Sequence, residues 1–346
     1  MKVKTAKTKP WPLHTLLRLV VSLVLIACIA WWLGGLGKVV AVIGRMSFGG
    51  AAVVVILLTL DRALMTFKWM LLLKARGADI RFSPAMKIYC ASMIWGMFLP
   101  TTVGADTIRA VSVARTGINT NEVVASIVIE RMIGFLSVLL LGLVSLALLS
   151  TNGLLESRFM GLWWGALTTI LLGMIVLVAS FSNKVFHLVH DQILGRLPNN
   201  RIATKLRKFH DTYRSYRNNM GTLIAFFVLT FAEQFVAIAQ CWLVAAGLGI
   251  HVGILYVIMA VPLSLLVSRI PIGIDGLGTF EAAFAFLLSL VGISGAEAVA
   301  IAFSGRVLQI VAWLPWWFAH VISTGNVRPA TQTMYPEAAT VEGGNL

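Results

Sequence analysis

Apolar stretches of close to 20 residues recur along the chain, at about 15–33, 48–73, 122–150, 160–181, 220–247 and 298–322. An α-helix needs about that length to cross the hydrocarbon core of a bilayer. Two more apolar stretches are interrupted. One runs from about 85 to 116 and contains Pro100 and Gly104; the other runs from about 254 to 292 and contains Pro271, Gly273, Gly276 and Gly278. Proline and glycine break a helix and free backbone groups inside the membrane. The pattern predicts an all-α integral membrane protein with about six full spans and two re-entrant helical hairpins.

The polar positions between the runs set the orientation. With the N-terminus inside, 15–33 leads out and 48–73 leads back to Lys74, Arg76, Arg81 and Lys87. Arg109 and Arg115 flank the far side of the first interrupted stretch. Basic loops favour the cytoplasmic side, so that stretch is expected to enter and leave there. The segment 182–218 is the most basic, with Asp191 and Asp211 as its only acids, and also falls inside. On this topology 19 of the 28 lysines and arginines lie inside, 3 outside and 6 within apolar segments, which favours it over the reverse. The expected organisation is a basic cytoplasmic N-terminus at 1–14, a transmembrane domain at 15–322 and a polar cytoplasmic tail at 323–346.

Composition sharpens this. Charged residues make up 12% of the chain, about half of what soluble domains carry, and 58% are apolar. A net charge of +14 would suit nucleic acid, but the charge sits in loops beside anionic lipid. No aromatic-interleaved basic patch or zinc-finger spacing occurs, so no nucleic-acid partner is expected. Cys28, Cys90 and Cys241 lie far apart in apolar segments and imply neither disulfide nor zinc. His187 and His190 share a helix face without a third ligand nearby in sequence. No metal or cofactor is expected.

An internal repeat is the most informative feature. Residues 117–131 (GINTNEVVASIVIER) and 292–306 (GISGAEAVAIAFSGR) share six of 15 positions without a gap, Arg131 and Arg306 among them. Each copy follows one of the interrupted stretches. Three spans separate the two stretches, and an odd number inverts the second copy. The predicted repeat units are about 48–150 and 220–322, inserted in opposite senses, an arrangement typical of transporters.

Several residues within these units can carry chemistry. Asn119 with Glu122, and Ser294 with Glu297, fit a capping residue followed by an acid three positions on. Pro100, Gly104, Asp106 and Arg109 mark a helix restart whose N-terminus suits anionic groups. Asp275, Gly276, Gly278 and Glu281 form the counterpart, where glycines allow close approach by a head group. Arg131 and Arg306 lie well inside their helices, where a lone charge is costly. They suit either a structural ion pair, Arg131 with Asp61 or Glu233 for example, or a phosphate clamp. Asp61, Glu130 and Glu233 are equally suited to salt bridges, contacts with a cationic head group, or proton carriage.

With Lys68-Trp69 and Leu71-Leu72, Leu99-Pro100, Gly104, Asp106, Arg109, Glu130-Arg131, and Pro271 with Gly276-Leu277-Gly278 and Glu281, the chain resembles the lysylphosphatidylglycerol synthase transmembrane family. This is the flippase-like domain also found at the N-terminus of bacterial multiple peptide resistance factors. The likeness covers roughly 15–322. Ala105 stands where the family commonly has a second glycine, and Asp275 where a small residue is usual. The resemblance implies movement of a lipid, or lipid-linked head group, between leaflets of a bacterial plasma membrane. The larger members carry a soluble aminoacyl-transferase domain, for which 346 residues leave no room, so an enzyme is not expected. Membrane lipids are the expected partners. The rival readings are an integral membrane enzyme acting on lipid or lipid-linked sugar, and a non-transporting partner of another membrane enzyme.

Overall fold

The computed structural model describes residues 41–97, 104–114, 116–153, 212–269 and 276–325, with scattered positions between 164 and 175. The expected segments 1–14, 15–33, most of 160–181, most of the basic loop 182–218 and the tail from 326 lie outside them, as do Pro100 and Asp275.

Among the described residues, eight α-helices carry the architecture: α1 (Phe48–Lys74), α2 (Phe82–Met97), α3 (Gly104–Ala114), α4 (Thr120–Thr151), α5 (Met220–Gly247), α6 (Ile254–Ser268), α7 (Thr279–Ser289) and α8 (Gly295–Gly325). No strand occurs among the described residues. Among the described residues, four helices are long and apolar enough to cross a membrane: Phe48–Lys74, Thr120–Thr151, Thr212–Gly247 and Gly295–Ser323. They coincide with four of the expected spans. Phe48, Ile56, Leu60, Ile224, Val228 and Phe318 stand exposed on their outer faces, as lipid-facing side chains do.

Each interrupted stretch is two helices, not one. In the first, α2 packs against α3, with Gly96 so close that a methyl group on it would sit 2.7 Å from the Ala105 Cα. The methyl of Ala105 is thus accommodated by Gly96 across the hairpin. In the second, α6 packs against α7, and the bend opens at Gly276 and Gly278, with φ of 70° and 84°. A side chain on Gly276 would be strained and would also strike Ser268. None of the four arms, at 11 to 16 residues, has the about 20 residues that a span needs.

A shift of 175 residues relates the two halves. It carries α3 onto the bounds of α7, starts α4 where α8 starts, and places α1 and α2 within three residues of the start of α5 and α6. Exchanging α1 with α5, α2 with α6, α3 with α7 and α4 with α8 also preserves the packing. The contact of α4 with α6 becomes that of α8 with α2, and α1 with α8 becomes α5 with α4. The pair α1 and α5 maps onto itself, and these helices run antiparallel. Ser47 N–H, before α1, donates to the Gly247 carbonyl at the end of α5, at 3.0 Å. At the opposite end Tyr216 Oη and Asn219 Nδ2, just before α5, donate to the carbonyls of Leu72 and Ala75.

Local signals explain the ends. Ser47 Oγ accepts from Gly50 N–H at the start of α1, and Asn119 Oδ1 accepts from Asn121 N–H at the start of α4. Ser294 and Glu297 make the expected reciprocal cap at α8. Glu122 does not: it turns instead to Arg76, with Nε–Oε2 at 2.9 Å and Nη2–Oε1 at 3.2 Å. An arginine within reach is a better partner for a carboxylate than its own cap N–H.

Candidate functional site

The short helix α3 presents Asp106 and Arg109 on one face, three residues apart, to the middle of α4. Arg131 is the twelfth residue of α4, about 18 Å along its axis. Its guanidinium grips Asp106 bidentately, Nε–Oδ2 at 2.8 Å and Nη2–Oδ1 at 2.9 Å. Arg109 Nη2 lies 3.4 Å from Asp106 Oδ1 and 2.9 Å from Glu130 Oε2. Glu130 also accepts from the Tyr89 hydroxyl at 2.9 Å. The Arg109 side chain is fully buried, its guanidinium 4.9 Å from the Trp69 ring and 4.7 Å from that of Tyr89. The Trp69 indole N–H is held by Ser126 Oγ. Two adjacent aromatic rings and two carboxylates offset the cost of desolvating this cation.

The second half repeats the outer part of this arrangement. Glu281, 175 residues after Asp106, pairs with Arg306, 175 residues after Arg131, at 3.1 Å. Its other oxygen accepts from Gly278 N–H at 2.7 Å, so the same carboxylate caps α7. The inner pair is not repeated. Phe284 stands at the counterpart of Arg109, fully buried, and Gly305 at that of Glu130. A Cβ on Gly305 would sit 2.8 Å from the Gln240 side-chain amide nitrogen, which would have to move.

A separate group of charges joins α1 to α5. Lys68, almost fully buried, pairs with Glu233 and donates to Thr230 Oγ1 at 3.1 Å. Asp61 pairs with its neighbour Arg62, whose guanidinium lies 5.5 Å from the Trp313 ring. The 175-residue shift takes Asp61, Arg62 and Lys68 to Val236, Ala237 and Leu243, so this group exists once.

The structure thus brings Asp106, Arg109, Glu130 and Arg131 into one cluster, and Glu281 with Arg306 into another. It corrects the expected partners of Arg131: neither Asp61 nor Glu233 reaches it, because Arg62 and Lys68 occupy them. Arg109, expected to flank the first interrupted stretch on the cytoplasmic side, is instead fully buried within the bundle. Gly104 starts α3 in a buried position; Gly276 and Gly278 form the bend and the cap of α7. Tyr89 and Arg62 were missed by sequence reasoning. Tyr89 sits in an apolar arm with nothing to distinguish it, whereas Arg62 beside Asp61 inside a span was a readable signal of a local pair.

Among the described residues, five carboxylates and five cations of the helices are joined as five pairs, with the Arg131 side chain the most exposed of them. No group of acids, histidines and cysteines there could hold a metal. These features define a polytopic α-helical membrane protein with a charge-paired interior and two broken-helix elements. The chain belongs to the family described as the lysylphosphatidylglycerol synthase TM region, whose profile it matches over residues 17–316. No curated protein matches it.

Proposed function

We propose that this protein moves a phospholipid or lipid-linked head group between the leaflets of a bacterial plasma membrane. In this reading its two units are inserted in opposite senses and both termini are cytoplasmic. The observation that carries the proposal is the antiparallel packing of α1 and α5, helices at equivalent places in the two units. Two like units turned against each other supply the two-sidedness that alternating access needs. The hairpin arms α2–α3 and α6–α7 are too short to span, and they enter and leave on one side. Each short helix is latched to the middle of a long one by a carboxylate–arginine pair. The acyl or prenyl tails stay in lipid while the head group passes between the units. Among the described residues the interior acids are engaged by arginine and lysine, which suits a binding site better than acid–base chemistry.

Reconstituted protein tests this. Arg131→Ala and Arg306→Ala are expected to abolish protein-dependent leaflet exchange of a fluorescent phospholipid, while both variants elute as folded protein in detergent. Undiminished exchange in both would overturn the assignment of the site.

A further inference from the structure

The charge balance of the interior points to the kind of head group. We propose that the transported lipid is zwitterionic, with phosphate and a single ammonium in one head group, and that it binds by insertion between Arg131 and Asp106. This rests on the transport reading above.

The argument begins with neutrality. Among the described residues, the five cations of these ion pairs are each matched by a carboxylate, and an unmatched charge in a bilayer is expensive. A phosphate that takes Arg131 from Asp106 strands the carboxylate. Among the described residues its remaining cation is Arg109, at 3.4 Å, which is already shared with Glu130. A purely cationic head group that takes Asp106 strands Arg131 in the same way. A phosphoethanolamine group supplies both replacements at once: its phosphate oxygens accept from the guanidinium and its ammonium donates to the carboxylate. Every charge then keeps a partner.

Access places this event in the first unit. The Arg131 side chain is 45% exposed while that of Asp106 is 10% exposed, so an incoming group meets the arginine first and the acid behind it. Arg109 stays in place, its side chain fully buried against the Trp69 and Tyr89 rings and paired with Glu130. In the second unit Arg306 is only 20% exposed, and Glu281 is held by the backbone of its own cap. That pair is the tighter latch.

The test uses the full chain in vesicles containing one acyl-labelled lipid at a time. The probes are phosphatidylethanolamine, its N-acetylated form (same phosphate, no ammonium), phosphatidylglycerol, and lysylphosphatidylglycerol with its net positive charge. Phosphatidylethanolamine is expected to exchange at least about tenfold faster than the other three. Asp106→Asn, which frees Arg131, is expected to shift the preference towards the two anionic lipids. Exchange of an anionic or net-cationic lipid as fast as phosphatidylethanolamine overturns the proposal, and so does an unchanged preference in Asp106→Asn. If no lipid exchanges, the transport reading falls. The lipid retained by the purified protein in native mass spectrometry then decides the head-group proposal on its own: preferential phosphatidylethanolamine that is lost in Asp106→Asn upholds it, and indifferent retention overturns it.

Discussion

The short helices α3 and α7 occupy equivalent places and have the same length, yet only one of them has a charged foundation. On α3, Asp106 holds Arg131 and the next turn supplies Arg109, buried against Glu130, Trp69 and Tyr89. On α7, Glu281 holds Arg306 and the next turn supplies Phe284, packed in the apolar core. The outer pair is therefore what the repeat preserves, and the inner pair is what one unit adds. A feature kept in both halves answers to the mechanics they share. A feature kept in one answers to something that happens on one side only: here the inner pair backs the outer pair of the unit in which the head group is proposed to bind.

The largest effect should come from removing the inner cation. Arg109→Ala leaves Glu130 buried without its cation, and about 3–5 kcal/mol of stability should be lost, read as failure to recover folded protein in detergent. Giving the first unit the character of the second should separate fold from function. Arg109→Phe combined with Glu130→Ala and Tyr89→Phe removes the buried charges together, and is expected to fold but to lose leaflet exchange. If exchange persists in that triple variant, the asymmetry is structural alone. Gly96→Val should push α3 from α2 and cost about 1–3 kcal/mol through overpacking, measurable as a lower unfolding temperature. Arg131→Ala should cost only about 1–2 kcal/mol, because its side chain is half exposed and Asp106 keeps Arg109. Ser294→Ala is the smallest change, about 1 kcal/mol for a lost cap, with exchange unaffected.

Much of this was readable before the fold was known. The spans at 48–73, 122–150, 220–247 and 298–322 stand out because lipid demands uninterrupted apolar length, and Pro and Gly mark the two breaks. The recurrence of arginine at 131 and 306 announced the repeat. The pairing was not readable. Asp106 and Arg131 are separated by a turn and the start of a long helix, and only the way α3 lies along α4 decides that Arg131 meets Asp106 and not Asp61. Glu122 shows the same limit: its position relative to Asn119 fits a cap, but tertiary packing offers it Arg76. Trp69 and Tyr89 enclose Arg109 through helix–helix geometry that leaves no pattern in a single apolar arm.

The opposed orientation of the two units is the claim on which transport depends, and cysteine accessibility tests it most directly. Asn119 and Ser294 are equivalent under the 175-residue shift, and both are exposed at the head of their long helices. With Cys28, Cys90 and Cys241 replaced by serine, Asn119→Cys and Ser294→Cys are each treated with a membrane-impermeant thiol reagent in intact cells. The predicted result is that the Ser294→Cys variant is labelled at once, and the Asn119→Cys variant only after the membrane is permeabilised. Labelling of both variants from the same side would contradict it.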